Sequence, residues 1–194
     1  MFETLVNIDL GLFEAINSLN NGFFDEVMWW ATDKFIWIPL YIFLAAFLYR
    51  KYSRLGLVMI LFAGVLITLS DQGTGVIKDL TKRERPCHNE TLTFEVHTVK
   101  NRCGGQYGFV SSHAANTMAL AMYLILLTKG NIRWLNRLLI SFVMLVSYSR
   151  VYMGNHYPAD IIGGWIVGIF VALVTYYLFR SFTGEKFDPK PDEG

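Results

Sequence analysis

Apolar residues fall into five long runs separated by more polar stretches, at 35–49, 55–75, 114–128, 134–148 and 161–179. The last run is nineteen residues without a charge and is the clearest. A full bilayer crossing needs about 20 apolar residues, so the first, third and fourth runs must be extended by polar helix ends. The first run also has a possible earlier start through Met28, Trp29 and Trp30, and Trp29, Trp30 and Trp37 suit an interfacial aromatic belt. Ahead of these runs, Leu5, Ile8, Leu12, Ile16 and Leu19 recur at helical spacing, while Asn7, Glu14, Ser18 and Asn21 fall elsewhere. This stretch reads either as an amphipathic helix lying at a membrane interface or as a helix packed against the rim of a bundle. Asn20, Asn21 and Gly22 end it. The pattern predicts an all-α, polytopic membrane helical bundle of about five transmembrane helices plus an N-terminal amphipathic interfacial helix. It forms one domain over 1–183, followed by a charged, proline-containing tail at 184–194 that is expected to be disordered.

Composition narrows the class. With 194 residues, 53% of them hydrophobic, the chain has the length of one domain and is too apolar for an ordinary soluble one. A formal net charge of +1 gives no reason to expect a nucleic-acid partner. The N-terminus lacks a positively charged leader region, so entry into the membrane is expected through the internal spans. Five spans put the two chain ends on opposite sides. The basic stretches 50–54 and 129–137 share one side with Arg180, Lys186 and Lys190, and basic loops mark the cytoplasm. The loop 78–112 and the turn 150–160 then share the other side. That outer loop also holds six Lys/Arg residues, counting Lys78, for which phosphate binding is the alternative explanation.

Three fragments on that outer side carry chemistry: Lys78 with Arg85 and Pro86; Ser111, Ser112 and His113; and Ser149 and Arg150 with His156 and Asp160. Ionisable groups at membrane depth are costly and usually functional. His156 and Asp160 are four apart, so a helix or a tight turn at Pro158 brings them together. Asp160 can then orient one imidazole nitrogen and leave the other free to attack phosphorus; the plainer reading is a His–Asp pair tying a loop to a helix end. His113 fits a general acid for the leaving oxygen. Ser111 and Ser112 can hold a phosphate oxygen, cap the helix, or do both. Lys78, Arg85 and Arg150 offer charge for a transferring phosphoryl group. Lys82 and Arg83 are expected to be solvated loop charges that could also meet anionic lipid, and His88 and His97 to be loop surface. Asp71 and Gln72 could support the site or fill a polar helix end. The acids are scattered and Cys87, His88 and Cys103 make poor zinc spacing, so neither metal nor cofactor is implied. Cys87 and Cys103 lie in one loop and are either a disulfide, where that side is oxidising, or two free thiols.

These fragments resemble the three-part signature of the type 2 phosphatidic acid phosphatase superfamily: Lys-x6-Arg-Pro, Pro-Ser-Gly-His and Ser-Arg-x5-His-x3-Asp. The first and third are complete as KDLTKRERP and SRVYMGNHYPAD. The second reads Val110-Ser111-Ser112-His113, with the Pro and Gly replaced. The resemblance implies a metal-independent phosphatase in a helical bundle. His156 would be the nucleophile that forms a phosphohistidine, Asp160 its orienter and His113 the acid. Lys78, Arg85, Ser111, Ser112 and Arg150 would bind phosphate. The compact chain and the run GGQYGFVSSHAANT are similar to small bacterial members acting on lipid A, undecaprenyl pyrophosphate or phosphatidylglycerol phosphate. The expected substrate is therefore a phosphate monoester or pyrophosphate of an envelope lipid. The expected location is the bacterial inner membrane, with the site facing the periplasm.

Other classes fit less well. The soluble vanadium-dependent haloperoxidases share the signature but not five apolar runs. A transporter would place its polar groups near the midplane on broken helices, whereas here they sit at span ends. A catalytically inactive lipid-phosphate-binding relative would not need His113, His156 and Asp160 together.

Overall fold

The protein is described here from a computed structural model over residues 2–184; the tail expected to be disordered lies, from residue 185 on, outside the described residues. Among the described residues the secondary structure is helical: α1 (Phe2–Asn17), α2 (Gly22–Thr32), α3 (Ile38–Tyr52), α4 (Arg54–Thr81), α5 (Ser112–Leu127), α6 (Arg133–Tyr152) and α7 (Pro158–Thr183), with two short 3-10 turns in the loop between α4 and α5. Each of the five apolar runs lies on its own helix, α3 to α7. Two of these helices, α4 with 28 residues and α7 with 26, are long and apolar enough by themselves to cross a membrane. At about 1.5 Å per residue they reach roughly 40 Å. Polar ends lengthen α4 beyond its apolar run, and that extra length carries Lys78.

The first run does not begin at Met28. Residues 22–32 form a separate helix, α2, whose start is capped by Asn21 Oδ1 accepting from Phe24 N–H at 3.0 Å. The chain breaks at Asp33 and resumes as α3 with Pro39 in its first turn, where a missing N–H costs nothing. Trp37 pins the break by donating from Nε1 to the Ala31 carbonyl at 2.9 Å.

A central core joins α3 to α7 through Leu44, Leu48, Met59, Leu66, Tyr123, Leu124, Leu135, Leu139 and Ala172. The outward faces remain apolar: Leu61, Ile166 and Phe170 are each about two-thirds or more exposed. Surfaces of that kind need a non-aqueous neighbour, and the protein is an integral membrane protein. Helix α1 packs on α6 and α7. It does so with Asp9, Phe13 and Asn17 and, from the predicted apolar stripe, Ile16, whereas Leu5, Ile8, Leu12 and Leu19 stay exposed.

The contact that positions the site is α5 against α7. Ala114, Ala115 and Ala119 are fully buried, facing Gly164 and Gly168. A Cβ at Gly164 would meet the Ser111 carbonyl at 2.7 Å, and one at Gly168 the Ala115 carbonyl at 2.5 Å. Small residues at this spacing let two helix backbones approach closely. The first turns of α5 and α7 are thereby held side by side, and Ser111 N–H donates to the Asp160 carbonyl at 3.0 Å.

Candidate active site

The turn between α6 and α7 is buried throughout, from Met153 to Tyr157. Gly154 makes the turn possible with φ +70°, and a Cβ there would meet the His97 carbonyl at 2.7 Å. The turn delivers His156 inward, 1% exposed, and starts α7 at Pro158. Asp160 in that first turn is 0% exposed. Its Oδ2 accepts from the Tyr157 backbone N–H at 3.0 Å, which caps the helix, and lies 3.3 Å from His156 Nδ1.

The other imidazole nitrogen, Nε2, is 2.8 Å from Arg85 Nη1. A guanidinium can only donate. Nε2 is therefore the acceptor, and the neutral ring carries its proton on Nδ1, toward Asp160. Burial, reinforced by the positive charges of Arg150 and Arg85, holds the His156 imidazole well below its ordinary pKa. The ring is neutral near neutral pH, with a lone pair at Nε2 and a carboxylate behind it. That arrangement can attack phosphorus.

Arg85 is itself fixed. Nε donates to the Gly105 carbonyl at 2.5 Å and Nη1 also to the Asn155 carbonyl at 3.1 Å. Gly108 lies over the His–Asp pair, where a Cβ would be 3.0 Å from Asp160 Oδ2 and 3.2 Å from Arg85 Cγ. A disulfide joins Cys87 to Cys103 across this loop, with Cα atoms 6.0 Å apart. His88 lies beside it, exposed, with Nε2 2.9 Å from the Gly104 carbonyl.

A second cluster forms at the facing ends of α4 and α5. Ser112 Oγ accepts from Lys78 Nζ and lies 2.7 Å from Thr74 Oγ1. Thr74 and Lys78 are i and i+4 on α4, so one helix face supplies both. Ser111 is fully buried and its Oγ caps α5, accepting from Ala114 N–H at 3.4 Å. Ser112 is the hydroxyl that reaches a cation. Arg150, at the end of α6 and 8% exposed, donates from Nη1 to Thr32 Oγ1 at 2.7 Å and leaves Nε without a partner. His113 and Arg150 line the same cavity. The structure thus links His156, Asp160 and Arg85 directly, joins Lys78 to Ser112, and sets Arg150 beside His113.

The PAP2 superfamily profile matches residues 51–183. The chain belongs to the PAP2 superfamily. It is a phosphatase of that superfamily. It is 33% identical over 199 residues, all of this chain and 88% of the relative, to a lipid A 4'-phosphatase of Bacteroides thetaiotaomicron. It is 26% identical to an undecaprenyl-diphosphatase of Sulfolobus acidocaldarius, across 89% of this chain and 79% of that one. Its fold is similar to that of a solved transmembrane PAP2 type phosphatidylglycerolphosphate phosphatase from Bacillus subtilis. That likeness has a TM-score of 0.64 at 21% identity and covers 95% of this chain and 90% of the other.

Two expectations need correction. Arg83 is not a solvated loop charge. Its Nη1 donates to Asp160 Oδ1 at 2.7 Å and its Nη2 to Asp9 Oδ2 at 2.6 Å. Its guanidinium also stacks 4.3 Å from the centre of the Tyr157 ring. Asp9 in turn accepts from Ala159 N–H at 2.8 Å, so α1 is tied to the start of α7. His97 is half-buried, with Nε2 2.9 Å from Asp25 Oδ1. Asp71 is exposed on α4 and accepts from Asn116 at 3.4 Å. The signal for Arg83 was Asp9, a lone acid on the helical face that also carries Phe13 and Asn17; nothing in the chain order linked the two. Arg83→Ala should lower kcat about tenfold with a smaller change in KM, because it loosens a buried carboxylate rather than removing a phosphate ligand. Exposed Lys82→Ala is the control. Equal steady-state constants for the Arg83 and Lys82 variants would show that the Asp9–Arg83–Asp160 link does not support turnover.

Proposed function

We propose that this chain removes phosphate from a bacterial envelope lipid through a phosphohistidine on His156. The observation that carries the reading is the His156 ring fixed between Asp160 at 3.3 Å on Nδ1 and Arg85 at 2.8 Å on Nε2. A phosphoryl group entering the site takes over the Arg85 donor, and Nε2 attacks phosphorus in line. The bond from phosphorus to the lipid oxygen breaks, and that oxygen leaves with a proton from His113. Asp160 stabilises the positive charge that grows on the His156 ring. Water then attacks the phosphohistidine, gives a proton to His113, and releases phosphate with the Nε2 lone pair restored. Lys78, Arg85, Arg150 and Ser112 balance the charge on the equatorial oxygens, and the Ser111 cap fixes the start of α5 beneath them.

The relatives' names point to two substrates, the 4'-phosphate of lipid A and undecaprenyl diphosphate. The full-length match at 33% identity favours the first. Phosphate release by the purified protein in detergent, across a panel of lipid phosphates and with EDTA present, tests the activity. We expect release unaffected by EDTA, inhibition by vanadate, loss of turnover in a folded His156→Ala variant, and a smaller defect in Asp160→Asn. Near-wild-type release by His156→Ala, or EDTA loss reversed by magnesium, would refute the mechanism.

Helices α3 to α7 are proposed to cross the bilayer once each, as one phosphatase domain over 1–183. In this arrangement α1 presents Leu5, Ile8 and Leu12 to the outer interface of the inner membrane, and the site faces the periplasm. Two features support this sidedness. Arg50, Lys51, Arg54, Lys129, Arg133 and Arg137 lie at the ends of α3 to α6 opposite the site. The Cys87–Cys103 bond is on the site's side, where an oxidising compartment would maintain it. In cells with a permeabilised outer membrane, an impermeant thiol reagent should label Leu92→Cys and spare Tyr52→Cys. The reverse pattern would put the chemistry on the cytoplasmic leaflet.

A further inference from the structure

A cavity of about 340 Å³ opens on the His113 and Arg150 side of the site, and two of its cations, Lys34 and Arg102, have no part in the reaction at phosphorus. Its wall carries three cationic side chains, Lys34, Arg102 and Arg150, together with His113. Asp33 is its only carboxylate among the described residues, and one oxygen of Asp33 is engaged by Phe35 N–H at 2.8 Å. Lys34 and Arg102 are exposed and make no ion pair among the described residues. Arg102 rests 5.2 Å from the ring centre of Trp29, which holds its guanidinium at the cavity without neutralising it. Arg150 is more than nine-tenths buried and its Nε has no partner. Cations gathered around a cavity repel one another, and a bound anion relieves that repulsion.

Position gives the anion its identity. His113 is on this wall, and in the proposed reaction His113 protonates the oxygen that leaves. The group that departs from phosphorus therefore leaves on the side of this cavity. An alcohol leaving from a simple monoester is neutral and needs no further cations. We propose that the cavity is a second-anion subsite that binds a phosphate carried on the leaving portion of the substrate. This rests on the phosphatase reading above and narrows its substrate to lipids bearing two phosphates. The subsite draws on residues outside the three-part signature: Lys34 from the turn between α2 and α3, and Arg102 from the loop between α4 and α5. Two lipid classes offer such a group. In a prenyl diphosphate the second phosphate adjoins the scissile bond, and in a bis-phosphorylated glycolipid it lies farther along the headgroup.

The test compares kcat/KM on three substrates: a prenyl diphosphate, bis-phosphorylated lipid A and a prenyl monophosphate. The proteins are the wild type, Lys34→Ala, Arg102→Ala and the double variant, all full-length and in detergent. Charge-assisted contacts of this kind are typically worth about tenfold each. The double variant should therefore lower the ratio of di-phosphorylated to monophosphorylated kcat/KM at least about tenfold, and Arg102→Lys should restore part of it. A fall confined to the prenyl diphosphate assigns the adjacent phosphate, and one confined to lipid A assigns the remote one. An unchanged ratio for both, whether or not the absolute rates drop, overturns the subsite. Failure of the phosphatase reading looks different: the wild type would then release phosphate from none of the three.

Discussion

Asp160 is a carboxylate with no exposed surface, and a charge in that position persists only if donors surround it. It has the Tyr157 backbone N–H, Arg83 and the Nδ1 side of His156. Much of the remaining architecture serves those contacts. The backbone donor requires α7 to begin at Pro158. Arg83 requires the loop after α4 to fold back over the turn, and Asp9 on α1 fixes the far side of Arg83. Gly108 is small because the loop passes within contact distance of the carboxylate. The imidazole proton follows from the same constraint. With Arg85 able only to donate at Nε2, the proton sits on Nδ1 and the outer nitrogen keeps its lone pair.

Bringing Lys78, Arg85 and Arg150 together has an electrostatic cost. They come from α4, from the following loop and from the end of α6, and each is held by neutral groups rather than by a carboxylate: Ser112, the Gly105 and Asn155 carbonyls, and Thr32. Neutral acceptors fix geometry without cancelling charge. On the proposed mechanism that charge is cancelled when the phosphoryl group enters and becomes the equatorial field of the transition state. The close α5–α7 seam at Gly164 and Gly168 keeps the Ser112–His113 turn in register with the His156 turn. In the proposed second-anion subsite, Lys34 and Arg102 extend the same principle outward from His113.

The helices and the His156–Asp160 pair were legible in the sequence because both depend on local spacing. Apolar runs locate α3 to α7, and a separation of four residues predicts the pair. The α2–α3 break was only half legible: the first run was placed at 35–49, but an earlier start through Met28, Trp29 and Trp30 stayed open, and Asp33 and Pro39 were the local signs against it. The role of Arg83 was also hidden. It depends on a contact with Asp9, 74 positions away, and on the loop folding across Tyr157. For α1 the sequence left open an interfacial helix or one packed on the bundle rim; the helix packs on the bundle with Asp9, Phe13, Ile16 and Asn17, while Leu5, Ile8, Leu12 and Leu19 stay exposed. A buried acid on such a contact face has no meaning until its arginine is known. Ser111 and Ser112 were both read as phosphate ligands or caps, and the fold separates them into a buried cap and a hydroxyl that meets Lys78.

The central claim is that the phosphoryl group passes through His156 Nε2. Rapid quenching of the purified protein with labelled lipid phosphate, under alkaline conditions that preserve phosphohistidine, followed by peptide mass spectrometry, examines that step directly. The account predicts a transient phosphoryl adduct on the peptide containing His156, absent from His156→Ala and formed more slowly in Asp160→Asn. Label on the peptide containing His113, or full turnover with no labelled histidine at any quench time, would contradict it.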